Sequence, residues 1–261
     1  MADYDTIVFE NDGPVGRLTI NRPDARNGMT TQMLEEAYDA LGRAARDESL
    51  RVVVLTGAGN SFCPGADLNI TNTGPRDTSG KRRSTEAFHV ATLLHEMPQV
   101  TIAAINGAAA GAGLGWALAC DLRVATASAM FNIAFLNVGV AGDMGGPWFL
   151  PRLLGAAKAR ELCFLPGKFG AEDALRIGMV SRVFLDETFR EEAEAVVQRL
   201  AGAAPLAITA LKQNFLAAER TGLADYITLE SERHSTIMQS DDTREAMRAF
   251  MEKRTPVFKG S

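Results

Sequence analysis

Cysteine and histidine are scarce, with three of each in 261 residues, and that scarcity removes several kinds of chemistry at once. Cys63, Cys120 and Cys163 are odd in number and lie far apart without CxxC spacing. Neither a disulfide framework nor a zinc site is expected from them, and reduced thiols in a cytosolic compartment fit best. Positive charge is also in the minority: 27 Lys and Arg against 32 Asp and Glu leave a net charge of −5. Nucleic-acid binders and proteins of acidic membrane surfaces need a net basic face, so both classes are disfavoured. The acidic opening MADYDTIVFEND lacks the cationic and apolar regions of a secretory leader, which predicts a cytoplasmic protein.

One uncharged run, Val100 to Cys120, is as long as a membrane span and carries Gly107 and Gly111 at GxxxG spacing. Asn106 and several glycines interrupt it, and Asp121 and Arg123 follow at once. A β-branched start, an Asn-Gly break and a small-residue segment read better as buried strand, turn and helix, with no membrane involved.

What is present is alternation. Ile7–Glu10 and Gly16–Asn21 predict a hairpin around Asn11, Asp12, Gly13 and Pro14. Leu34, Ala37, Tyr38 and Leu41 mark one face of a helix over Met33–Ala45. Arg51–Leu55, Val100–Ile105, Leu122–Ala125 and Met179–Phe184 are short apolar runs of the kind buried on both faces of a parallel sheet. Fold class is therefore α/β. The segment Asn69–Ser84 is a polar loop ending in the basic cluster GKRRS, read as a solvated face with a possible attraction for phosphates. Beyond about Glu187 the strand signals stop, and Phe189–Leu200, Ala207–Arg220, Leu223–Met238 and Asp242–Arg254 read as helices.

Two loops carry candidate chemistry. FCPGADL (Phe62–Leu68) follows the RVVVL strand, and NGAAAGAGLG (Asn106–Gly115) follows TIAAI and opens a helix. Small residues there let a ligand approach the backbone, and free N–H groups at a helix start face developing negative charge; small residues also simply permit tight packing. A dinucleotide site fails in detail, since GAAAGAG is not GxGxxG. A third stretch, FNIAFLNVGVAGDMGG, has Asp143 as its one ionisable side chain. A carboxylate set among glycines is exposed, paired with something distant, a cap for the following helix, or kept for chemistry.

The combination of LTINRPDARN, VVVLTGAGNSFCPGADL, AAINGAAAGAGLGWALACDLRVA, LPRLLGAAKARELCF and EKRTPVFKG resembles the crotonase, or enoyl-CoA hydratase/isomerase, superfamily over essentially the whole chain. The resemblance implies a spiral of ββα units over residues 1–187, holding the CoA site and oxyanion hole. Residues 188–261 would then be a helical region that builds a homotrimer or hexamer. It also implies an acyl-CoA substrate with no metal or organic cofactor, CoA being part of the thioester. By motif, the Ala66 and Ala112 amides would hold the thioester oxygen, with Asp67, Leu68, Gly111 and Gly113 around it. Arg22 and Arg26 lie where the family runs along CoA, and Phe258 and Lys259 where it reaches the adenine end on a neighbouring subunit. His89 corresponds to a helix that in dehalogenases of the family bears a histidine near the acyl pocket.

The departures bear on the reaction. Where hydratases of the family carry two glutamates, this chain has Gly115 and Phe135, neither of which moves a proton. Asp143 stands where isomerases of phenylacetate-type pathways and hydrolytic dehalogenases carry their acid. An isomerase with one aspartate base is the first expectation, with Phe135, Met144 and Trp148 suiting an apolar acyl group. A hydrolase, dehalogenase or hydratase is the alternative, and a non-catalytic CoA-ester-binding protein a further one.

Overall fold

The computed structural model describes residues 4–71 and 85–261. The hairpin forms from β1 (Ile7–Asp12) and β2 (Val15–Ile20), paired antiparallel. Asn11 and Asp12 belong to the strand rather than the turn, which narrows to Gly13 and Pro14, with Gly13 at φ 55°. Helix α1 (Thr31–Ala44) starts under the Thr30 side chain, whose oxygen accepts the Met33 N–H at 3.1 Å. It buries Leu34, Ala37 and Leu41 of the expected face together with Met33, while Tyr38 is only partly buried against the same core.

Three strand pairs follow, each leading into helical structure: β3 (Val52–Gly57) and β4 (Ser61–Cys63) before α2 (Leu68–Thr71) and α3 (Val90–Glu96); β5 (Val100–Ile105) and β6 (Ala108–Ala110) before α4 (Gly111–Ala119); β7 (Leu122–Thr126) and β8 (Met130–Asn132) before α5 (Gly146–Leu154) and α6 (Ala156–Phe164). The first strand of each pair enters a six-stranded sheet and the second a four-stranded one; β9 (Phe169–Gly170) completes the four-stranded sheet and, after α7 (Ala171–Arg176), β10 (Arg182–Phe184) completes the six-stranded one. Sheet orders are β1-β2-β3-β5-β7-β10 and β4-β6-β8-β9. The result is a mixed α/β spiral of ββα turns, in which each strand pair steps one position along both sheets.

The unbroken apolar runs have their explanation in two cores. Val53, Leu55, Ala103 and Ile105 point into the main core with the helices, whereas Val52, Val54, Ile102 and Ala104 point the other way. Helix α8 (Phe189–Ala201) covers that second face with a stripe of Phe189, Ala193, Val197 and Ala201. The expected strand Met179–Phe184 is a misreading at its start. Gly178 (φ 80°) ends α7, and the Met179 and Val180 N–H groups both donate to the Ala174 carbonyl, so these are buried residues of a helix C-cap. An apolar run has the same composition in either setting.

Helices α9 (Pro205–Ala218), α10 (Leu223–Ile237) and α11 (Asp241–Glu252) complete the chain. Lys212 anchors α9. It is 5% exposed, pairs with Asp121 at 2.7 Å and donates to the Gln99 carbonyl. Leu211, Phe215, Ile227, Phe250 and Met251 of these helices face outward. The uncharged run that resembled a membrane span is divided among β5, β6 and α4, and no helix among the described residues is long and apolar enough to cross a membrane.

Candidate active site

The strand-to-loop path carrying FCPGADL is fixed from both sides. Asn27, fully buried, donates its side-chain amide to the Ala58 and Ser61 carbonyls, while Asn106 donates to Gly57 and Gly59 and accepts the Gly57 N–H. A methyl group on Gly57 would stand 2.1 Å from the Ser61 carbonyl oxygen, and one on Gly107 2.1 Å from that of Asn60. Only hydrogen fits at either place. The loop then meets the chain again at Met29 and Ala66, an isolated parallel bridge in which Met29 N–H donates to Gly65 and Asp67 N–H donates to Met29. In that geometry the Ala66 N–H faces away from Met29, and it donates to nothing among the described residues.

Helix α4 packs directly on this loop. A methyl on Gly65 would lie 3.5 Å from the Ala112 nitrogen, and one on Gly113 would collide with Cys63 at 2.3 Å. Gly111 has φ 47°, a left-handed turn that lets the helix begin there. Ala112 is its second residue, so its N–H belongs to the first turn and has no intrahelical acceptor. Ala66 and Ala112 thus contribute, from adjoining backbone segments, two amides that are free among the described residues.

Asp143 is brought to the same place. Helix α4 accepts the Met144 backbone at Gly115, where a methyl would stand 2.7 Å from Met144 Cβ and 2.9 Å from its carbonyl oxygen. The Phe135 ring, 8% exposed, spans the remaining distance: its edge lies 3.8 Å from where a Gly111 Cβ would be and 3.8 Å from that of Gly142. One aromatic ring therefore separates the residues flanking Ala112 and Asp143. The carboxylate does not cap α5, whose N-terminus at Gly145 has no side-chain cap. Its Oδ1 is instead buried, without a hydrogen-bond partner among the described residues. Burial raises the Asp143 carboxyl above its ordinary 3.8. The Cys63 thiol under Gly113 is pushed up to about 12 by burial, and it senses both the Arg22 charge and the Asp143 charge.

The other sequence candidates are spread out. Arg22 donates through Nη1 to the Gly28 carbonyl and to Asp67 at 3.0 Å, with Asp67 only 9% exposed. Arg26 and Leu68 are exposed. His89 is also exposed, bonded to Thr92 Oγ1 at 3.0 Å, and no described contact brings it to Asp143. Trp148 is turned from the Phe135 wall toward His95, and the Arg152 guanidinium lies 3.6 Å over its ring. Phe258 and Lys259 sit on a tail clamped to α11, where buried Asp242 accepts the Lys259 and Gly260 N–H groups. Lys259 borders a cavity of 1090 Å³ between residues 45–51, α9 and α10, whose lining includes neither Asp143 nor the two alanines. Size does not make that cavity the reacting site, because neither the buried acid nor the two free amides line it. The GKRRS cluster lies outside the described residues. Among the described residues no three His, Cys, Asp or Glu side chains gather as a metal would require.

Residues 10–261 match the Enoyl-CoA hydratase/isomerase family. Among curated proteins the chain is 38% identical to a 1,2-epoxyphenylacetyl-CoA isomerase of Escherichia coli over 93% of its own length and 94% of the relative's. It is 37% identical to a probable enoyl-CoA hydratase of Rhodobacter capsulatus over 98% and 99%. An enoyl-CoA hydratase structure from Bacillus anthracis superposes with a TM-score of 0.91 at 30% identity, covering 98% of this chain and 100% of that one. A putative enoyl-CoA hydratase from Streptomyces coelicolor gives 0.92 at 31% identity, over 100% and 96%.

Proposed function

Because the chain belongs to the enoyl-CoA hydratase/isomerase family, we propose that it isomerises an acyl-CoA thioester with a single base, Asp143. The Ala66 and Ala112 amides would hold the thioester oxygen. In a double-bond shift, the Asp143 carboxylate takes a proton from C2 of a 3-enoyl ester, the C–H electron pair delocalises into a dienolate, and the oxyanion rests on the two N–H groups. The protonated carboxyl then returns the proton to C4, leaving the 2-enoyl ester. One such amide typically lowers the barrier by about 3–4 kcal/mol. Ring-epoxide isomerisation, the reaction in the Escherichia coli relative's name, would use the same acid and hole.

The observation that carries this reading is the buried Asp143 Oδ1, without a partner among the described residues, on a segment packed against α4 through Met144 and Phe135. Desolvation makes the carboxylate a stronger base, and no side chain among the described residues is bonded to it. Hydration needs a placed water and an acid on one face of the double bond. At the two positions where the resemblance implies that hydratases carry glutamates stand Gly115, blocked by Met144, and the Phe135 ring. Exposed Leu211, Phe215, Ile227 and Phe250 support the self-assembly into trimers or hexamers that the family resemblance implies.

The test is a panel of 2-enoyl-, 3-enoyl- and aroyl-CoA esters followed by mass in ordinary and heavy water. Isomerisation keeps the mass and gains deuterium in heavy water, hydration adds a water, and hydrolysis frees an acid. Asp143→Asn should lower kcat by about 10²–10⁴ while leaving ester binding intact. A fully active variant removes Asp143 from the reaction.

A further inference from the structure

We infer that Arg22 is a positioning residue for the Ala66 amide, rather than a clamp for the substrate's phosphates; the inference rests on Ala66 being an oxyanion donor. The Met29–Ala66 bridge is the only described backbone pairing that orients that amide, and it is flanked by Gly28 before Met29 and by Asp67 after Ala66. A single nitrogen, Arg22 Nη1, donates to both flanks: the Gly28 carbonyl on one strand and Asp67 Oδ2 on the other. The two flanks also touch, since a methyl on Gly28 would meet Asp67 Cβ at 3.1 Å. Arg22 is rooted in turn, its own N–H donating to Asn27 Oδ1 at 2.9 Å, and Asn27 holds the Ala58 and Ser61 carbonyls at the base of the loop. Side-chain exposures of 20% for Arg22 and 9% for Asp67 place this pair inside the wall, not on its rim. Charge-assisted bonds in such a setting fix geometry more firmly than neutral ones. Without the guanidinium, the buried Asp67 carboxylate would move toward other partners and take the Ala66 N–H with it.

A displacement of order 1 Å in a catalytic donor commonly costs about 10²-fold in rate. The probe is acetoacetyl-CoA, which loses its C2 proton to buffer and delocalises the pair onto oxygen; its enolate absorbs in the ultraviolet, so the enolate-to-keto ratio on the protein reads the hole directly. Acetoacetyl-pantetheine serves as the partner probe, having the same acyl group without CoA's phosphates. Wild-type protein should raise the enolate ratio of both. Arg22→Met should lower that ratio about tenfold for both esters with Kd changed by less than about threefold, Arg22→Lys should restore most of it, and Asp67→Asn should shift it in the same direction. Should Arg22→Met keep the wild-type ratio, or weaken binding of the CoA ester alone, the positioning role is overturned, and the second result assigns Arg22 to the phosphates. If wild-type protein fails to raise the ratio at all, it is the oxyanion hole that falls.

Discussion

By the family resemblance, Gly115 stands where hydratases carry an acid, and the packing there leaves no room for one. Its missing Cβ would lie 2.7 Å from Met144 Cβ and 2.9 Å from Met144 O. Nonbonded carbons settle at about 3.5–4.0 Å, so even a methyl overlaps by roughly 1 Å. The contact is with the root and backbone of Met144, so no rotamer change relieves it. Met144 itself holds φ 46° between Gly142 (φ 124°) and Gly145 (φ 75°), a path with little slack, and is 4% exposed. Gly115→Ala should therefore cost about 1–3 kcal/mol by overpacking, read as a Tm lower by about 2–4 °C per kcal/mol. It should also cut turnover by about 10²-fold, because Asp143 moves with Met144. Gly115→Glu should be less stable still and should not hydrate a 2-enoyl-CoA ester, followed by loss of enone absorbance. A Gly115→Glu protein of wild-type Tm that hydrates such an ester would refute the reasoning, for it would mean the position is merely vacant.

What the sequence let us read depended on how local the cause was. The RVVVL and TIAAI runs announced strands because both faces of each are buried, one against α8 and one in the main core. Asp143 stood out because its neighbours are so small and apolar that a carboxylate among them asks for a reason; that its Oδ1 has no partner among the described residues is a property of the fold. Other features depend on residues far apart in the chain. Arg22 finds Asp67 across 45 positions, and Lys212 finds Asp121 across 91, with no periodicity to signal either. Gly115 could be read as an absent acid; only packing reveals that Met144 occupies the room an acid would need. The tail was similarly opaque, since its order comes from Asp242 accepting two backbone N–H groups at the start of α11.

Two further outcomes follow from buried charge. Lys212→Met leaves Asp121 with its Thr101 bonds but without its cation. Breaking such a pair from one side costs about 3–5 kcal/mol, and Asp121's 27% exposure puts the loss at the low end, measurable by denaturant titration; an unchanged midpoint would mean the pair is inert. Asp143 works in the opposite sense. Burial raises its folded-state pKa above the ordinary 3.8, so the folded chain holds the proton more tightly than the unfolded one. Stability linked to this group is present below the unfolded value and lost as pH rises through the raised one. At neutral pH the ionised carboxylate therefore works against folding, and Asp143→Asn, of the same shape but neutral, should have the higher Tm there. As pH falls below the ordinary carboxylate value, both side chains are neutral and the difference should close. Contributions from every other titrating group cancel in the comparison of the two proteins. A Tm difference that stayed constant or widened on acidification would show that Asp143 is stabilised where it stands, and a carboxylate stabilised by partners would be a poor base.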